Sequence, residues 1–151
     1  MGEHIDWALH RAKMAAGMGA LSEAVYGNSQ LAVREREAAR FTIAMINDCL
    51  VCRDTRARDG ASFGADEPFY AELTDWRAST SLSERERCAA EFAERFALDH
   101  LAMDDEFWDR MHAAFAEDEL ADLTICCGMF LGMGRTLAVV GVRAPEERIL
   151  V

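Results

Sequence analysis

In the stretch NDCLVCRDTR, residues 47–56, two cysteines lie three positions apart, Cys49 and Cys52. At i and i+3 of a helix two side chains share a face, near enough to close a disulfide once one sulfur has been oxidised. A thiolate in the first turn of a helix also feels unpaired backbone N–H groups and the positive end of the macrodipole. Both lower its pKa from about 8.5 and make it nucleophilic. Two other uses of the pair stay open at this level: half of a metal site, or two small apolar residues facing a core. A closed zinc site needs four Cys or His ligands. The remaining Cys88, Cys126, Cys127, His4, His10, His100 and His112 contain no second C-x-x-C and no H-x-x-H. No metal and no cofactor is therefore expected.

The pair is positioned by helices. Residues 5–26 form an Ala/Met/Leu-rich helix that Gly17 and Gly19 could interrupt, and GNSQ stops it. Over 34–46, Ala38, Phe41, Thr42 and Met45 recur at the spacing of one buried face. Asp48 is a suitable N-cap for a helix running from Cys49 to about Asp59, where Gly60 ends it. A shorter helix follows over 67–77, with Pro68 near its start. Ser81 or Ser83 then caps a helix with Cys88, Phe92, Arg95 and Phe96 along one side and Ala89, Ala93 and Leu98 on its inner side. DDEFWDRMHAAF makes an acid-started helix, and residues 118–140, apolar on nearly every side, are expected to be the central buried one. No period-2 alternation is long enough for a sheet, so the fold class is all-α. REREAARFTIAMI and SERERCAAEFAERF look alike only as amphipathic helices do.

A chain of 151 residues fits one domain, 1–151, with a core large enough to fold unaided. Its formal charge of −11 is spread along the sequence without a basic patch, which argues against nucleic acid or an anionic membrane surface as partner. The most apolar stretch, LTICCGMFLGMGRTLAVVGV, is broken by glycines and Arg135, so no membrane span is expected. Residues 1–13 have no apolar signal core, and five cysteines are an odd number. The reading is a cytosolic protein with reduced thiols rather than a disulfide framework. Adjacent Cys126 and Cys127 are read as core, as are Phe41, Phe92, Phe96, Phe130, Trp108 and the eight methionines.

Twelve positions before Cys49 stands Glu37. A glutamate early in one helix and a C-x-x-C opening the next resemble the alkylhydroperoxidase-D-like branch of the carboxymuconolactone decarboxylase superfamily. The likeness covers roughly residues 31–142, from REREAARFTIAMINDCLVCRDTRARDG through the C-terminal helices. It implies an all-α bundle assembled as a trimer or hexamer, with the dithiol near a subunit interface. It implies Cys52 as the peroxide-attacking sulfur, Cys49 as the resolving one and Glu37 in a proton relay. Helix-end electrostatics by themselves favour the earlier cysteine, and the assignment stays open.

The family relay includes a histidine four residues after the second cysteine and often one between the two. Here those positions are Arg56 and Val51. A guanidinium cannot act as a base. One turn below Cys52 on the same face, however, Arg56 could steady a thiolate or an anionic substrate, or pair with Glu37. His100 and His112 are read as surface or interface residues that supply an imidazole only if the fold brings one close. The implied activity is a thiol-disulfide oxidoreductase acting on organic hydroperoxides or on a partner disulfide, with a thiol reductant protein as possible partner. The alternatives are a family member that binds or decarboxylates a small organic acid or lactone, and a redox-silent oligomeric binding protein.

Overall fold

The computed structural model describes residues 3–144 and 146–151. Eight α-helices follow in order: α1 (Trp7–His10), α2 (Ala12–Asn28), α3 (Val33–Ile46), α4 (Leu50–Asp54), α5 (Glu67–Leu73), α6 (Glu84–Leu98), α7 (Asp105–Ala114) and α8 (Glu117–Val139). No strand forms among the described residues beyond one parallel bridge, Arg56 to Leu150. The all-α expectation holds.

Several details differ from the sequence reading. The first helix breaks at Arg11 rather than at the glycines, and Gly17 and Gly19 lie inside α2. Leu98, expected on the inner side of α6, is exposed. The helix after Asp48 spans five residues, not eleven.

The centre is α3, not α8. Ten consecutive residues of α3, Glu35 to Ala44, are buried, and it packs against α6, α8, α4 and α5. Ala38 and Ala39 on α3 meet Ala89, Ala90 and Ala93 on α6, all essentially without solvent exposure. Side chains this small let two helix axes come close. Two of the charges at the start of α3 are met by neighbouring helices. Arg34 pairs with Glu86 at 2.5 Å, and Arg85 bridges Glu35 at 2.5 Å and Glu119 at 2.6 Å. Glu86 also completes a capping box with Ser83, its N–H donating to the Ser83 hydroxyl at 3.2 Å.

Helix α8 lies to one side, its Leu120, Leu123, Cys127 and Phe130 buried and its Ile125 and Val139 exposed. Among the described residues it is the one helix long and apolar enough to cross a membrane, despite the glycines and Arg135 that argued against such a run. Here a third of its apolar stretch, 33%, is buried in the bundle.

Candidate functional site

The site begins where α3 ends. Asn47 caps α3, and its amide donates to the Leu131 carbonyl of α8 at 3.2 Å while its oxygen accepts from Arg135. Asp48 takes a left-handed conformation (φ 47°), tolerable for Asp, and turns the chain into α4. The N-cap of α4 is therefore Cys49, not Asp48: the Cys52 N–H donates to Cys49 Sγ at 3.3 Å. Cys49 and Cys52 are joined as a disulfide, with Cα atoms 5.2 Å apart.

The two sulfurs differ in access. Cys49 is 1% exposed, whereas Cys52 lines a cavity of about 240 Å³ between α2, α3, α4 and α8. The walls are mostly apolar, with Val51, Met129, Phe130, Met133 and Leu137 among them. Polar groups are few: Ser22, Tyr26, Thr55 and Arg40. Gly134 keeps the space over the sulfur open. A Cβ there would lie 3.4 Å from Cys52 Sγ and 2.8 Å from the Asn47 amide nitrogen. Gly134→Ala is expected to slow alkylation of reduced Cys52 several-fold, read as the iodoacetamide rate against the native protein; an unchanged rate would mean that the sulfur is reached from elsewhere.

Behind Cys52 sits a buried polar knot. Glu37, fully buried, accepts at Oε2 from the Tyr70 hydroxyl at 2.7 Å and from Arg40 Nε at 2.8 Å. Burial and the Glu37 carboxylate push the Tyr70 hydroxyl up to about 12, so it stays a donor. Arg40 also donates to the backbone carbonyls of Cys52 at 2.6 Å and Thr55 at 2.9 Å. Burial works against its charge, but Glu37 more than restores it. Arg40 thus ties the glutamate of α3 to the backbone of α4. Sequence reading missed it, although its i+3 spacing from Glu37 is an ion-pair signal.

Arg56 departs from its expected place. Because α4 ends at Asp54, Arg56 is not one helical turn below Cys52 and does not line the cavity. Its guanidinium lies 4.1 Å over the Tyr70 ring and forks onto Glu67 at 2.9 and 3.1 Å. Those hydrogen bonds hold the Glu67 carboxyl below its usual range. The ion pair is with Glu67, not Glu37. Arg148 joins it on Glu67 at 2.5 Å, and the Arg56 amide donates to the Ile149 carbonyl at 3.0 Å. Ile149 and Val151 complete the cavity wall.

No histidine lines this cavity; His100 and His112 are exposed, and the His112 ring lies 6.1 Å from that of Trp108. Cys126 and Cys127 are buried as expected, and burial, joined by Asp122 for Cys126, raises both thiols, that of Cys126 to about 12. No cluster of His, Cys, Asp or Glu suited to a metal exists among the described residues.

A helical bundle in which one helix buries a glutamate and the next opens on C-x-x-C belongs to the AhpD-like class of folds. Residues 12–95, more than half of the chain, match the model of the carboxymuconolactone decarboxylase family, and the chain belongs to that family. Two crystal structures share the fold. One is a protein of unknown function from Agrobacterium tumefaciens ascribed to antioxidant defence as AhpD, with a TM-score of 0.84 and 21% identity, over 95% of this chain and 99% of that one. The other is an uncharacterized peroxidase-related protein from Silicibacter sp. TM1040, with a TM-score of 0.72 and 20% identity, over 86% and 69%. No functionally curated protein matches the chain.

Proposed function

We propose that the protein is a thiol peroxidase-like oxidoreductase in which Cys52 attacks an organic hydroperoxide and Cys49 resolves the product. The observation that carries this is the unequal placement of two bondable sulfurs: one on the wall of a small apolar cavity, the other sealed behind it. Thiolate at Cys52 attacks the distal peroxide oxygen, the O–O bond breaks, and an alcohol leaves after protonation. The Cys49 thiol then attacks the resulting sulfenic sulfur and releases water. A dithiol donor returns the disulfide to two thiols by exchange.

A cavity of about 240 Å³ with mostly apolar lining favours a compact hydrophobic hydroperoxide. Holding a small carboxylate is less well supported, since the cation on the wall, Arg40, already faces Glu37. The cycle needs a reducing compartment, consistent with a cytosolic setting. In the test, reduced protein is mixed with cumene hydroperoxide and dithiothreitol. Sustained peroxide loss above the rate of dithiothreitol alone supports the proposal, and a rate equal to that background refutes it.

Self-association belongs to the same proposal. Leu9, Met14 and Leu21 of α1 and α2, with Ile125 and Val139 of α8, expose apolar surface. A second copy is the expected cover, as in the trimers or hexamers that the family resemblance implies. Sedimentation velocity at micromolar concentration should show an oligomer. A single monomeric species would remove this part of the proposal.

A further inference from the structure

Oxidation of Cys52 by an alkyl hydroperoxide expels an alkoxide, a poor leaving group unless it receives a proton. Relatives with a histidine at either relay position have an obvious donor; here Val51 and Arg56 occupy those positions, and no histidine lines the cavity. Few groups on the wall qualify. Arg40 cannot give up a proton at any ordinary pH. Thr55 already donates its hydroxyl hydrogen to the Val51 carbonyl at 2.8 Å. The aliphatic hydroxyl of Ser22 would leave an alkoxide with no ring to delocalise its charge. Tyr26 remains.

Tyr26 stands on the last turn of α2 and lines the same cavity as Cys52. Its hydroxyl has no hydrogen-bond partner among the described residues, unlike that of Tyr70, which is committed to Glu37. Its ring lies 6.0 Å from that of Phe130, and the Arg36 guanidinium is 5.4 Å from the ring centroid. Arg36 is itself buried, its Nε is without a partner, and no carboxylate lies within ion-pair distance of it among the described residues. A phenolate formed at Tyr26 would therefore sit beside two guanidinium groups, Arg36 and Arg40, with Glu37 and Cys126 as the opposing groups. Burial raises the phenol above its ordinary value, so it carries its proton at neutral pH, and the two guanidinium groups, which act against that rise, would steady the phenolate left behind.

We infer that Tyr26 is the general acid of this site, donating its hydroxyl proton to the alkoxide as Cys52 takes the distal oxygen. This rests on the peroxidase reading above. The step balances: the S–O bond forms, the O–O bond breaks, the sulfur is oxidised to sulfenic acid, the peroxide is reduced to alcohol, and Tyr26 is left as phenolate. Solvent returns to it a proton equal to the one lost when Cys52 ionised.

The test compares native protein with Tyr26→Phe, both reduced, in single-turnover oxidation by cumene hydroperoxide and by peracetic acid. A peracid expels a carboxylate, which needs no proton. With Tyr26→Phe the cumene hydroperoxide rate should fall by about 10²-fold or more. The peracetic acid rate and the pH profile of Cys52 alkylation should stay at native values. Equal losses with both oxidants, or an unchanged hydroperoxide rate, would overturn the assignment. Should native protein fail to form the Cys49–Cys52 bond with either oxidant, the peroxidase reading itself fails, a result distinct from both.

Discussion

Cys52→Ser should reduce peroxide consumption to the background of the dithiol donor alone, whereas Cys49→Ser, tested without donor, should still react once and then stop. The difference follows from access. Cys52 lines the cavity, while Cys49 is 1% exposed and acts as the N-cap of α4. Helix-end electrostatics favour Cys49, whose sulfur receives the Cys52 N–H, but α4 is only five residues long and its dipole is correspondingly small. A sulfur that substrate cannot reach does not attack it, however acidic its thiol. In Cys49→Ser the sulfenic acid formed on Cys52 has no partner thiol and persists long enough for dimedone to trap it, which mass spectrometry would locate. Trapping on Cys49 in the Cys52→Ser variant, with none on Cys52 in Cys49→Ser, would reverse the assignment.

Arg40→Ala should cost about 3–5 kcal/mol of stability, the range for removing one partner of a buried ion pair. The change would strand the Glu37 carboxylate in the interior, where Oε1 already lacks a partner among the described residues. It would also leave the carbonyls of Cys52 and Thr55 without their donor. Against a total of about 5–15 kcal/mol for an ordinary domain, that loss is a large fraction. Adding Glu37→Gln should recover part of it, because the uncompensated charge goes with the carboxylate. Urea unfolding of the two variants and the native protein measures both effects. A loss under about 1 kcal/mol for Arg40→Ala would mean that the pair contributes nothing net, as exposed pairs often do.

The residues that carry chemistry were easier to read than the way they are held. C-x-x-C and the Ser83 capping box are local signals and stand at the starts of α4 and α6, with Cys49 itself in the cap position expected of Asp48. Arg56 was misplaced because the end of α4 is set by tertiary partners: Arg40 takes the Cys52 and Thr55 carbonyls, and the chain beyond pairs with residues 149–151. Nothing within residues 49–59 encodes that. The same kind of partner explains why α3, rich in charge, is central while the more apolar α8 is partly exposed. Arg34, Glu35, Glu37 and Arg40 find counter-ions or donors on α3 itself, α5 and α6. A periodicity argument counts such residues as surface. Tyr26 carries no motif; only the shared cavity relates it to Cys52.

The most direct test of the dithiol chemistry is peptide mapping of fully reduced protein after one equivalent of cumene hydroperoxide under blocking alkylation. A single new bond between Cys49 and Cys52, with Cys88, Cys126 and Cys127 still free, is the expected result. Two unmodified thiols at Cys49 and Cys52, or oxidation confined to the other cysteines, would contradict it.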